Sequence, residues 1–218
     1  LQNTALLLSR YVDQELEELE LVQKGIIERM QSAGIASGHD YARQMSDHEI
    51  HLVLKDRIAG LPHVAGVSLY DSNGKLINLS RSWPVPVIQV DDRAYFKALK
   101  SDSQLTTSVS QPVRNRANGA WTIVLARRFA APNGEFLGVV VGGINLEHFE
   151  DFFSSISLGA HSSIALSRSD GLLLVRHPRI ESAVGSFFPG AIEALHGRDF
   201  GTIRLVGRMD GKDRMLAA

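Results

Sequence analysis

The side chains best suited to recognition chemistry stand in Asp92-Arg93-Ala94-Tyr95-Phe96, where an arginine lies two positions before a tyrosine. A guanidinium fork beside an aromatic ring suits a carboxylate held bidentately against the ring. Periodicity alone gives a different picture: Asp92 caps a helix, Phe96 and Leu99 turn to the core, and Arg93 and Tyr95 point away from each other. The two pictures agree only if Arg93 precedes the first full turn; otherwise Arg93 is a structural salt-bridge partner. Trp83, in Arg81-Ser82-Trp83-Pro84-Val85-Pro86, offers a flat wall and one N–H donor, or serves only as a loop anchor.

Other chemistries are poorly served. His48 and His51, flanked by Asp47 and Glu49, have the spacing of a helical metal pair. A zinc site needs further ligands converging from elsewhere, so the pair reads as solvated and no metal is expected. The turns Asp71-Ser72-Asn73-Gly74 and Ser169-Asp170-Gly171 lack the closing Glu of a calcium loop and read as hairpin turns. With no cysteine, nucleophilic elbow, phosphate loop or dinucleotide fingerprint, the chain offers no catalytic residue and calls for no cofactor. Lys plus Arg number 23 against 24 Asp plus Glu, so no basic excess exists to neutralise nucleic acid.

The elements that must position these residues fall into a helical front and a hairpin-rich remainder. Ala5, Leu8, Val12, Leu16, Leu19, Val22, Ile26 and Met30 recur at steps of three and four, which predicts a long amphipathic helix over 1–30. A second apolar-periodic stretch from Tyr41 to Ile58 predicts another helix, closed by Gly60-Leu61-Pro62. Alternation then takes over. Strands are expected on both sides of Asn73-Gly74, then at 106–113, 121–129 and 136–145, with short helices at 92–99 and 146–156. The segment 66–77 has a counterpart in 162–173, and the later strand pair has a shorter echo in 200–216, so two related antiparallel modules follow one helix.

With 218 residues, 44% hydrophobic and 22% charged, the chain can bury a sizeable core. Its apolar runs fall short of the roughly 20 residues that span a bilayer. The sequence opens without an initiator Met or a basic leader and stops where a strand begins, which suggests a fragment of a longer protein.

In order and spacing, several motifs resemble the double Cache family, also called PDC sensors, the extracytoplasmic ligand-binding regions of bacterial transmembrane receptors. They are Leu69-Tyr70-Asp71-Ser72-Asn73-Gly74, Ser80-Arg81-Ser82-Trp83-Pro84, Asp91-Asp92-Arg93-Ala94-Tyr95-Phe96, 121–128 and 136–145. The resemblance is strongest to sensors feeding diguanylate cyclases or histidine kinases. It implies an α+β fold in which a long N-terminal helix is followed by two PAS-like antiparallel-sheet modules. Residues 1–60 would form the signalling helix and a second helix on the distal module, 61–157 the membrane-distal ligand-binding module, and 158–218 a smaller, truncated proximal module.

The same resemblance implies a ligand pocket in the distal module, with Arg93 and Tyr95 contributing to it, Trp83 on the segment that closes over it, and Tyr70, Arg127 and Asn145 on strands bordering it. Alternation puts Arg127 and Thr122 on opposite faces, so only part of that strand can contribute. Many amino-acid-binding members carry an Asp where this chain has Asn145, and a neutral amide gives an ammonium no counter-charge. The expected ligand is therefore a small carboxylate or other polar metabolite. The expected setting is the periplasmic side of an inner-membrane protein, anchored by apolar segments outside this sequence and possessing no enzymatic activity in this region. The overlong helix is expected to pair with a second copy, giving a homodimer. A ligand-free dimerisation module and an extracytoplasmic hydrolase are the alternatives.

Overall fold

The computed structural model describes residues 1–115, 119–156, 158–159, 161–190, 193, 201–206, 211 and 213–217. The chain divides into two compact units, Glu18–Leu146 and Leu1–Glu17 with Glu147–Ala218. Helix α1 (Gln2–Ser32) runs through both. It ends where Gly34 takes a φ of 70° and the Ile35 N–H returns to the Met30 carbonyl, a turn that favours glycine. No described helix is long and apolar enough to cross a membrane.

In the first unit, α2 (Gly38–Met45) and α3 (His48–Arg57) replace the single helix expected over 41–58. The apolar spacing continues across the junction, but Asp47 stands in extended conformation and its carboxylate accepts the His48 N–H, starting a new helix. A hairpin follows, β1 (Val64–Asp71) and β2 (Leu76–Leu79). At its turn the Asp71 carboxylate accepts the N–H groups of Asn73 and Lys75 while Gly74 supplies φ 80°, so this acidic turn is spent on its own backbone.

Helix α4 (Ala94–Ser101), β3 (Thr107–Val109), β4 (Val113–Arg114), β5 (Trp121–Ala130) and β6 (Phe136–Asn145) complete the unit. The strand expected over 106–113 is thus two short ones, separated where the Ser110 hydroxyl accepts the Val124 N–H. The sheet is six-stranded and antiparallel, in the order β2-β1-β6-β5-β3 with β4 also on β5. This is the PAS-like arrangement, and the chain is α+β with a long N-terminal helix. One sheet face receives α1 and α2: Gln23 donates from its amide to the carbonyls of Leu125 and Val140, and Tyr41 packs on Phe129 with ring centroids 5.1 Å apart. A β-carbon on Gly142 would lie 2.6 Å from Leu19, so the glycine sets how closely helix and sheet approach. The other face receives α4, which buries Tyr95, Phe96 and Leu99 against Tyr70, Val124, Ala126, Val139 and Val141.

In the second unit, Tyr11 of α1 stacks on Phe152 at 4.0 Å and its hydroxyl meets His148 Nε2 at 2.9 Å. Both partners lie on α5 (Leu146–Ser154), and this packing groups α5 with the second unit, whereas the sequence suggested a boundary after 157. The hairpins β7 (Ile164–Ser167) with β8 (Leu173–His177), and β9 (Thr202–Val206) with β10 (Asp213–Ala217), follow the internal echo of the first module. Within the first turn, Asp170 pairs with Arg168 at 2.6 Å and accepts the Leu172 N–H, so this acidic turn too is structural. The Arg168 guanidinium holds the Asp170 carboxyl below the usual range. Asp210 and Lys212 lie outside the described residues.

Candidate functional site

Alternation along β5 and β6 sorts the expected site residues by face. Val124, Ala126, Val139 and Val141 point to the α4 side, and the register Thr122↔Asn145 and Val124↔Gly143 carries Thr122 and Asn145 to the same side. Arg127 faces the other way. Its guanidinium reaches Glu20 of α1 at 3.1 Å, across the face opposite α4. The structure therefore does not bring Arg127 together with the other expected residues, and its role is an ion pair between helix and sheet.

Tyr70 and Tyr95 do meet, both buried in the apolar cluster beneath α4, at 7% and 6% exposure. Asn145 marks the opposite end of that face: Tyr70 pairs with Val139, six residues earlier on β6. At about 3.3 Å per residue those rows lie roughly 20 Å apart along the strand, so one small ligand touching Asn145 leaves Tyr70 in the core. Between them the floor is built from small groups. A β-carbon on Gly143 would meet Thr122 at 3.1 Å and Ala65 at 3.4 Å.

Arg93 resolves the conflict between spacing and chemistry. It is the N-cap residue of α4, in extended conformation at φ −72° and ψ 138°, and it stands before the first turn, so the helical rule that parts positions two apart does not bind it to Tyr95. Its own side chain makes no cap hydrogen bond. The positive end of the α4 dipole and the Arg93 cation lie at the same end, a combination that favours an anion. Arg93 is half-buried, and among the described residues its guanidinium has neither an ion pair nor a hydrogen bond.

Trp83 is 41% exposed and lies against the rings of His48 at 5.1 Å and His51 at 5.8 Å. His51 itself donates from Nδ1 to the Leu79 carbonyl at 2.7 Å. The tryptophan thus fastens the segment after β2 to α3, and the two histidines form the platform on which it rests. Nothing in the spacing of Trp83 and the His pair announced this contact, since it joins elements that are more than 30 residues apart in sequence.

No protein-family model matches this sequence, and no curated protein matches it by sequence. Solved structures do. The extracellular domain of rpHK1S-Z16, a protein assigned as a histidine kinase, is 27% identical with a TM-score of 0.81, covering 100% of this chain and 86% of that one. The ligand-binding domain of the Pseudomonas aeruginosa PAO1 amino acid chemoreceptor PctC, solved with GABA, is 18% identical with a TM-score of 0.64 over 98% of this chain and 88% of that one. That of the Pseudomonas fluorescens chemoreceptor CtaA, solved with L-serine, is 21% identical with a TM-score of 0.55 over 94% and 87%. The chain has the architecture of these extracellular sensor domains, which is that of the double Cache type.

Proposed function

We propose that this chain is the periplasmic sensing region of a transmembrane signalling receptor and that its distal unit, Glu18–Leu146, holds a small carboxylate through Arg93. The observation that carries this reading is the Arg93 guanidinium, on a half-buried residue at the start of α4 and unpaired among the described residues. A guanidinium without a protein partner keeps its planar fork of donors available to a carboxylate. GABA and L-serine, the ligands of two neighbours of like fold, each bear a carboxylate, which is the part of those molecules that Arg93 suits. They also bear an amine, a second cation for which Arg93 offers no counter-charge.

A carboxylate without a charged amine is therefore the preferred ligand class. A charge-assisted contact of this type is worth about 1.5–3 kcal/mol, roughly tenfold to hundredfold in affinity. Signalling then requires that the ligand bind one of two arrangements more tightly, because equal affinity for both shifts nothing. The output, a cyclase or a kinase, belongs to the part of the receptor beyond this chain. A thermal-shift panel of mono- and dicarboxylates against ordinary amino acids tests the reading. Carboxylates stabilise the wild type, Arg93→Ala removes the effect, and Arg93→Lys recovers little of it, since an ammonium cannot reproduce the planar fork. Tight binding of an α-amino acid by the wild type would overturn the ligand class.

A further inference from the structure

We propose that the contact of Trp83 with His48 and His51 is a pH-sensitive fastening, which holds the stretch after β2 more tightly on α3 when His48 takes up a proton. From Ser82 to Val87 the chain makes no hydrogen bond among the described residues. The stretch is tied at its two ends, where Arg81 donates to the carbonyls of Val64 and Ala65 and the Leu76 N–H reaches the Ile88 carbonyl. Between those ties it is held by the packing of Val85 on the apolar cluster and by the Trp83 ring on α3. A change in the ring contact is therefore a change in how firmly this stretch, which leads into α4, is fixed.

The three rings are arranged to gain from one added charge. His48 and His51 stack at 5.7 Å with their planes 19° apart, and the indole lies 5.1 Å from one and 5.8 Å from the other. A cation at that distance from a tryptophan ring is attracted by its quadrupole, and an imidazole becomes such a cation on protonation. Histidine is the side chain suited to making that change between about pH 5 and 8. His48 is exposed, whereas His51 is buried with Nδ1 bonded to the Leu79 carbonyl, so the proton goes to His48, where water solvates the charge. A second imidazolium beside it would be repelled, so the pair takes one. Of the charged groups around it, Asp47 and Glu49 flank His48 on α3 and favour the cation, while Lys55 opposes it from two turns further along. The strands β1 and β2, on which α3 packs, contribute Asp71, held by its own turn, and the stretch itself contributes Arg81, held by Val64 and Ala65. The contact is thus strongest at acidic pH and weakens as pH rises. It does not involve Arg93, so carboxylate binding and this fastening stand or fall separately.

The test is a double-mutant cycle on the whole chain, with denaturant melts of the wild type, His48→Gln, Trp83→Leu and the double variant followed by circular dichroism at about pH 8 and about pH 5.5. The coupling between the two positions, read as a ratio of unfolding constants, is expected to grow about twofold to fivefold on acidification, the span that a cation over an exposed indole gives. In His48→Lys, whose cation persists at both pH values, Trp83→Leu should cost the same at both. Should Trp83→Leu fail to fold, Trp83→Phe takes its place in the cycle and gives a smaller growth of the same sign, because a phenyl ring attracts a cation less than an indole does. Coupling that stays constant or shrinks at the lower pH would overturn the proposal. So would equal growth in the His48→Lys background, which would place the titrating group elsewhere.

Discussion

Tyr41 shows how far a single side chain can depart from its ordinary behaviour. It is completely buried, its hydroxyl has no hydrogen-bond partner among the described residues, and burial, with Asp71 nearby, raises its pKa well above the usual phenol value. In the unfolded chain the same group ionises near pH 10. Above that pH the unfolded chain releases a proton that the folded chain keeps, so stability from this residue is present below about pH 10 and is lost as pH rises. Tyr41→Phe is expected to leave the melting temperature at neutral pH unchanged or raised, by up to about 1 kcal/mol of stability, because an unmet buried hydroxyl disappears. Its melting temperature should also fall less steeply than that of the wild type above about pH 10. A melt series across that range checks both, and a variant less stable at neutral pH would show that the hydroxyl has a partner, such as a buried water. At this scale the sequence was informative about type and silent about surroundings: Tyr41 was legible as an apolar-periodic helix position, and its lack of a partner was not.

Among the elements, α1 was the most legible and its two faces the least. Val12, Leu19, Ile26 and Met30 of its stripe are buried, as a 3.6-residue rhythm demands, while Leu8 and Leu16 of the same stripe are half-buried. The exposed leucines of α1 are instead Leu6, Leu7 and Leu21, of which Leu7 and Leu21, each 66% exposed, stand two heptads apart and so on nearly one line of the helix. Placing Asp at both is expected to abolish any self-association seen by sedimentation at high concentration while leaving the melting temperature within about 1 kcal/mol of stability. Unchanged association would remove α1 as the interface. On the buried side, Gly142→Ala would drive a methyl group against Leu19, at 2.6 Å from its nearest atom. Overpacking of that kind should cost about 1–3 kcal/mol in a denaturant melt. The glycine was visible in the sequence, but only the helix above it explains the need, just as the split between α2 and α3 depends on Asp47 outcompeting a spacing that runs straight through it.

The whole molecule pairs a legible architecture with a site that sequence could only outline. Hairpin turns, strand alternation and the internal echo carried enough information for two antiparallel modules behind one helix, because each rests on local chemistry. The face on which Arg127 lands, the opposite ends occupied by Tyr70 and Asn145, and the seating of Trp83 on His48 and His51 depend on register and long-range packing, which no local pattern encodes. Arg93 stands at the start of α4 and has no protein partner among the described residues, which is what the proposed ligand role requires. The most direct measurement is calorimetric titration of the best-stabilising carboxylate into the wild type, Arg93→Ala and Arg93→Lys. The account predicts saturable one-site binding by the wild type, weakened tenfold to hundredfold, or by about 1.5–3 kcal/mol, in Arg93→Ala and scarcely restored in Arg93→Lys. Binding of equal strength by the wild type and Arg93→Ala would contradict it.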